Sequence, residues 1–260
     1  MSVLSTFSLK NKVAIVTGGA GLYGQQIVTA LAEAGAKTYV ASRGLEAIQK
    51  LAEEHRSVGN DVTALYLDQG EEASIIALRD EVIKRDGKVD VLVNNAVFRP
   101  MNGWNDDAAL FDKSMHVNAT GIFMLTRAFG DVMAERGSGS IINIGSIQGM
   151  IGTDGTLYEG FDWDGYIPDY FFHKGGMINF TRFAASYYGL KNVRCNCISP
   201  GGIMTNESDP VLVKRYSART LLGRMANDSD LMGIIVFLAS EASLYITGAN
   251  IPVDGGYTAK

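Results

Sequence analysis

The chain has 260 residues, 47% of them hydrophobic and 20% charged, with a net charge of −5. That is enough chain for one large α/β domain over residues 1–260, and an acidic balance without basic runs excludes a broad nucleic-acid surface. No apolar stretch approaches the roughly 20 residues that cross a bilayer, and Met1–Lys10 lacks the regions of a signal peptide, so the expectation is a cytoplasmic protein with no membrane partner.

In chain order, short apolar runs rich in β-branched residues alternate with longer segments of helical periodicity. The runs are Val13–Thr17, Thr38–Ala41, Val62–Leu67, Val89–Asn94, Ile141–Ile144, Val193–Ile198 and Ala249–Val253. Helical patterns cover Gln25–Ala34, Leu45–Arg56 and Glu71–Arg85. Runs that are apolar throughout belong to strands covered on both faces. Their alternation with helices predicts a Rossmann-like, doubly wound parallel sheet of seven strands with helices on both faces. Gly149–Asp169, rich in glycine, acids and aromatics, reads as the one long loop, and such loops are often functional.

The first run leads into Thr17-Gly18-Gly19-Ala20-Gly21-Leu22-Tyr23-Gly24 and then a helical pattern. Gly19-x-Gly21-x-x-Gly24 fits the dinucleotide fingerprint, in which glycines let the backbone approach a pyrophosphate seated on a helix N-terminus. The second run ends in Ser42-Arg43. No acid stands there to bind the ribose hydroxyls of NAD, whereas a guanidinium suits the 2′-phosphate of NADP. NADP is therefore the preferred cofactor and NAD the alternative.

Tyr170 and Lys174 are four residues apart on a helical pattern, hence on one face. A phenol with a pKa near about 10 is a poor base at neutral pH, and a nearby ammonium lowers that value. Ser146 directly follows the fifth run, at the end of the sheet where open α/β folds bind ligands. Cys195 and Cys197 read as buried thiols on one face of a strand. The histidines His55, His116 and His173 lack ligand spacing, so no metal site is expected.

With these landmarks in order, together with Asn94-Asn95-Ala96, Asn118, Ser199-Pro200-Gly201 and Val253-Asp254-Gly255-Gly256, the chain resembles the compact members of the short-chain dehydrogenase/reductase family over essentially its whole length. The resemblance implies a general acid/base in Tyr170 and a ribose-binding, pKa-lowering role for Lys174. It implies stabilisation of the substrate oxygen by Ser146 and a relay water held at Asn118. The implied cofactor-binding set is Gly18, Ala20, Gly21, Tyr23, Ser42, Arg43, Asp68 at the adenine, Asn95, Ala96, Tyr170, Lys174, and Ile203 and Thr205 at the nicotinamide amide. A homotetramer or dimer built on the helices carrying Asn118 and Tyr170 is also implied.

The chain departs from the compact members in several places. Leu22 stands where they have the middle glycine, Val97 replaces the glycine of their NNAG, and His173 replaces the usual serine before the lysine. The interval from Ser146 to Tyr170 is longer than theirs, as an insertion over Thr153–Asp169 would explain. That segment interleaves Asp154, Glu159, Asp162, Asp164 and Asp169 with Tyr158, Phe161, Trp163 and Tyr166. It is expected at the rim of the site, where carboxylates and aromatic faces would favour a sugar or polyol; a surface loop without a substrate role is the alternative. Arg99 reads as an ordinary salt-bridge residue, the other option being a carboxylate ligand in the cleft. Thr205–Arg224 resembles the family's substrate lid.

The expected activity is interconversion of a secondary alcohol and a ketone. The TGxxGxxG spacing raises an epimerase or dehydratase of the same superfamily as an alternative, and a non-catalytic NAD(P)-binding regulator is a third. Gly145-Ser146-Ile147-Gln148-Gly149 is not the GxSxG of a serine hydrolase.

Overall fold

Strand β1 (Val13–Thr17) is buried along its whole length, because it is central and has helices on both sides. Val13 and Ile15 enter one apolar cluster while Ala14 and Val16 enter the other, as the two-residue period of a strand requires. The computed structural model describes residues 2–259. Its other strands are β2 (Lys37–Ser42), β3 (Val62–Tyr66), β4 (Val91–Asn94), β5 (Gly139–Ile144), β6 (Val193–Pro200) and β7 (Asn250–Val253). All pair in parallel, in the order β3-β2-β1-β4-β5-β6-β7.

Helices α1 (Leu22–Glu33), α2 (Leu45–Ser57) and α8 (Met232–Ala239) cover one face and bury Ile27, Leu31, Ile48 and Ile235 against it. Helices α3 (Glu72–Asp86), α5 (Gly121–Arg136) and α6 (Pro168–Tyr188) cover the other with Ile75, Leu125, Phe129 and Ala184. The chain builds outward from β1 to β3, then returns to β4 on the other side of β1. The crevice beyond the strand ends at this reversal is where such sheets bind ligands.

All seven expected strands form, with shifted ends. Strand β4 begins at Val91; the preceding Asp90 still bonds through its main chain to Val13 and Ser140, while its carboxylate accepts the Val13 N–H at 2.8 Å and pairs with Lys88 at 2.9 Å. Helix α1 begins at Leu22, three residues before its periodic pattern, since Gly21 serves as its N-cap. The long loop is shorter than its composition implied. Asp154 caps a 3₁₀ turn over Gly155–Tyr158, and α6 opens with Pro168 in its first turn, so Asp169 is helical. A short helix α4 (Ala108–Met115) runs through a π-turn over His116–Thr120 into α5, and α7 (Pro210–Ser217) lies within the expected lid.

Cys195 and Cys197 are free and fully buried on β6. Among the described residues no cluster of His, Cys, Asp or Glu is arranged to hold a metal, and no helix is long and apolar enough to cross a membrane.

Candidate active site

A cleft of about 670 Å³ opens at the carboxyl ends of the central strands, and Gly18, Ser42, Asn95, Gly145 and Gly201 lie on its wall. Its floor is the glycine loop. Gly18 has φ +67°, and a Cβ there would stand 2.7 Å from Ala96 Cα, so neither the conformation nor the space admits another residue. Gly19 and Gly24 are closed off by Val40 and by the Gly18 carbonyl respectively, whereas a Cβ on Gly21 would meet only the Gly18 oxygen, at 3.5 Å. The unusual spacing thus keeps the glycines that crowding demands. Helix α1 has no side-chain cap and no acid in its first turn, which leaves its leading amides available to an anion. This open, uncapped end fits a dinucleotide pyrophosphate.

Around the loop the main chain is tied in place. Asn95 Nδ2 donates to the Thr17 and Gly18 carbonyls at 3.0 and 2.9 Å, and the Asn95 and Ala96 amides donate to Thr17 Oγ1. Tyr23 Oη donates to the Gly201 carbonyl at 2.9 Å, joining the floor to the segment after β6. At the outer end of the cleft Arg43, whose guanidinium lies 5.7 Å from the Phe98 ring centroid, stands with Ser42 and Asp68.

The opposite end holds Ser146, Tyr170 and Lys174, the expected catalytic side chains. Lys174 is 3% exposed; its Nζ donates to the Ile144 carbonyl at 2.5 Å and lies 5.6 Å from the Tyr170 ring centroid. Burial acts to raise the Tyr170 pKa, but the Lys174 and Arg99 charges and hydrogen bonding from Ser146 and Arg99 outweigh it, and the phenol titrates below its ordinary value. Burial in turn pulls the Lys174 pKa down, opposed by Tyr170. Ser146 Oγ accepts the Gln148 amide at 3.1 Å. The turn carrying Ser146 is pressed onto α6 so closely that a Cβ on Gly149 would come within 2.6 Å of the Lys174 main chain.

His173 is buried edge-on to Tyr170, with centroids 5.2 Å apart. Burial, reinforced by Lys174 and Arg99, pushes its pKa down to about 3; it is a neutral packing residue.

Not every expected residue reaches the wall. Ala20 packs on the core beside α1, and Thr205 is engaged with Ser208, so neither lines the cleft, while Ile203 does. Asn118 is 3% exposed, and its amide is spent on the main chain of Phe98, at 2.8 and 2.6 Å, and on Ser114. The inserted loop supplies aromatic rings but not acids. Tyr158 and Trp163, edge to face at 4.6 Å, line the cleft. Asp154 instead pairs with Arg219, Asp164 closes a turn onto Tyr166, and Asp169 is buried.

Phe98, Gln148, Leu212, Tyr216 and Met225, none of them among the expected site residues, also line the cleft. In the sequence, Gln148 is signalled only by its closeness to Ser146, and Leu212 and Tyr216 only by lying within the lid segment Thr205–Arg224. The Tyr216 hydroxyl accepts the Gly202 N–H at 2.6 Å. From α7, Arg215 donates to the carbonyls of Leu157 and Glu159 at 3.0 and 2.6 Å, so lid and insertion form one roof.

A family profile described as enoyl-(acyl carrier protein) reductase matches residues 21–258. The chain is 33% identical over 258 residues to 7alpha-hydroxysteroid dehydrogenase of Bacteroides fragilis, covering 96% of this chain and 95% of that protein. The chain belongs to the short-chain dehydrogenase/reductase family. Two solved structures superpose over 100% of both chains at 29% identity. They are a short-chain type dehydrogenase/reductase from Mycobacterium marinum, with TM-score 0.89, and a gluconate 5-dehydrogenase from Burkholderia cenocepacia in complex with NADP and tartrate, with TM-score 0.90. As a short-chain dehydrogenase/reductase, this protein is an NAD(P)-dependent oxidoreductase that acts on CH–OH groups.

With Tyr170 as the expected general base, kcat/KM for alcohol oxidation should rise with pH through the lowered phenol pKa and level off below the ordinary tyrosine value. Lys174→Met removes the leading charge that lowers it, and the rising limb should move to higher pH. A limb that stays in place would show that the ammonium does not tune the phenol.

Proposed function

We propose that Tyr170 is the proton-transferring group of a secondary alcohol–ketone oxidoreductase, with Lys174 and Ser146 as its partners and NADP as the preferred cofactor. The observation that carries the reading is the buried Lys174 ammonium beside the Tyr170 ring, in the same cleft that the glycine loop lines. Bound NAD(P) supplies the hydride acceptor or donor. In oxidation the phenolate takes the carbinol O–H proton as the C–H bond gives up its hydride, and the Ser146 hydroxyl donates to the substrate oxygen, holding its charge. Lys174 favours the phenolate and offers its remaining donors to the ribose. Reduction runs the same proton back.

Because the Asn118 side-chain amide is occupied, the relay water of this reading is held by the main chain at Asn118, within the π-turn. Asp68, at the end of β3, serves the adenine, and Asn95 and Ala96 the main-chain edge of the cofactor. The aromatic faces of Tyr158 and Trp163 support a substrate with C–H surface to cover, as on a sugar or polyol. The two buried free thiols are in keeping with a reducing, cytoplasmic compartment.

A homodimer or homotetramer through α5 and α6 is supported by the exposed aromatic stripe Phe123, Phe172, Phe183 and Tyr187, a kind of apolar patch that monomers seldom present.

Tyr170→Phe should lower kcat by roughly 10²–10⁴ while NADPH still binds, as fluorescence titration would report; near-normal turnover would remove Tyr170 from the chemistry. Arg43→Ala should cut kcat/KM for NADP by roughly tenfold or more and leave that for NAD nearly unchanged. Equal losses for both cofactors would overturn the 2′-phosphate assignment. Phe183→Glu should reduce the sedimentation coefficient toward that of a monomer, and an unchanged value would place the interface elsewhere.

A further inference from the structure

Arg99 was expected to be an ordinary ion-pair residue, and its surroundings contradict that. None of the ion pairs among the described residues includes it. Its side chain is exposed to the cleft, with the guanidinium carbon 4.5 Å from the Tyr170 ring centroid. We propose that Arg99 anchors a carboxylate of the substrate, so that the alcohols this enzyme oxidises are hydroxy acids. The proposal rests on the reading of Tyr170 as the reacting group and narrows its substrate class.

Charge balance is the first support. Among the described residues, the charged side chains on the wall at the reacting end of the cleft are Lys174 and Arg99, and the one acid on the wall, Asp68, stands at the opposite, β3 end. The acids of the inserted loop do not line the cleft. Two cations therefore face one phenol, and even the phenolate leaves one positive charge without a counterpart. A neutral polyol cannot supply it, and a carboxylate can.

Delivery is the second support. Arg99 follows Phe98, whose N–H and C=O are both held by the Asn118 amide, and Asn95 and Ala96 are fastened to Thr17. The guanidinium thus projects from a fixed stem, and its planar fork can grip both oxygens of a carboxylate with little further ordering. Phe98, Tyr158 and Trp163 wall the same space, which strengthens such a pair relative to water. Since the guanidinium abuts the Tyr170 ring, the carboxylate and the reacting carbinol lie within a few bonds of each other. A short hydroxy acid or the acid end of a sugar acid meets that requirement.

Two measurements on the full chain test this, each with wild type, Arg99→Leu and Arg99→Lys. In the first, calorimetry follows tartrate, and its neutral diethyl ester, binding to the protein saturated with NADP. Tartrate should bind wild type and weaken by roughly 10- to 100-fold in Arg99→Leu, with Arg99→Lys between them and the ester insensitive to all three. In the second, kcat/KM is compared for D-gluconate against sorbitol and for 3-hydroxybutyrate against 2-butanol. The acid-to-neutral ratio should exceed ten in wild type and collapse in Arg99→Leu; the influence of Arg99 on the phenol itself largely cancels in that ratio. NADPH fluorescence titration verifies that each variant is folded, and Arg99→Lys carries the comparison should Arg99→Leu fail it. Tartrate affinity unchanged in the variants, or neutral alcohols preferred by wild type, would overturn the assignment. If none of the four alcohols is oxidised by wild type, the oxidoreductase reading of Tyr170 is what fails, and tartrate binding still decides the role of Arg99 on its own.

Discussion

An ammonium is held out of water at the end of the sheet, and the site is organised around making that tolerable. Lys174 has no carboxylate partner among the described ion pairs, and burial lowers its pKa. An isolated buried charge is costly unless hydrogen bonds and an opposite charge meet it. Here the Ile144 carbonyl takes one donor, and the group whose negative charge most favours the ammonium is the Tyr170 phenol. The cost of burying the lysine and the acidity of the tyrosine are therefore the same interaction seen from its two partners.

That arrangement requires α6 to sit in one place relative to β5. A buried polar chain sets the distance: Asn94 Nδ2 donates to Asn143 Oδ1 at 2.8 Å, and Asn143 Nδ2 donates to Thr181 Oγ1 at 2.9 Å. It crosses β4, β5 and α6 inside an apolar interior, where a half-made hydrogen bond would be expensive. The contact between Gly149 and the Lys174 main chain closes the same gap from the Ser146 side. Ser146, Tyr170 and Lys174 thus come from two elements locked by both polar and steric constraints.

The roof is built differently. Insertion and lid are joined by Arg215 and Arg219 through carbonyls, Asp154 and Thr156, contacts at the surface that can exchange with water. Few apolar side chains are buried in this region, mainly Leu157 and Tyr216, so it belongs to the part of the molecule with the least to hold it closed. A rigid floor under a more weakly fastened roof suits an enzyme that must admit both a cofactor and a substrate.

Most of the architecture was legible in the sequence because it follows from local rules. Apolar runs covered on both faces become parallel strands, glycines after the first strand allow a close turn, and a Tyr and Lys four apart share a helix face. These signals depend on neighbours along the chain and survive without knowledge of the partners. What they could not supply was the fate of each charge. Asp154 turned to an arginine 65 residues away, the Asn118 amide was taken by a backbone 20 residues away, and Arg99 was left facing the phenol with no acid in ion-pair range among the described residues. Pairing of side chains across the fold is decided by which elements meet, and only the tertiary structure brings those distant groups within the few ångströms over which hydrogen bonds and ion pairs act.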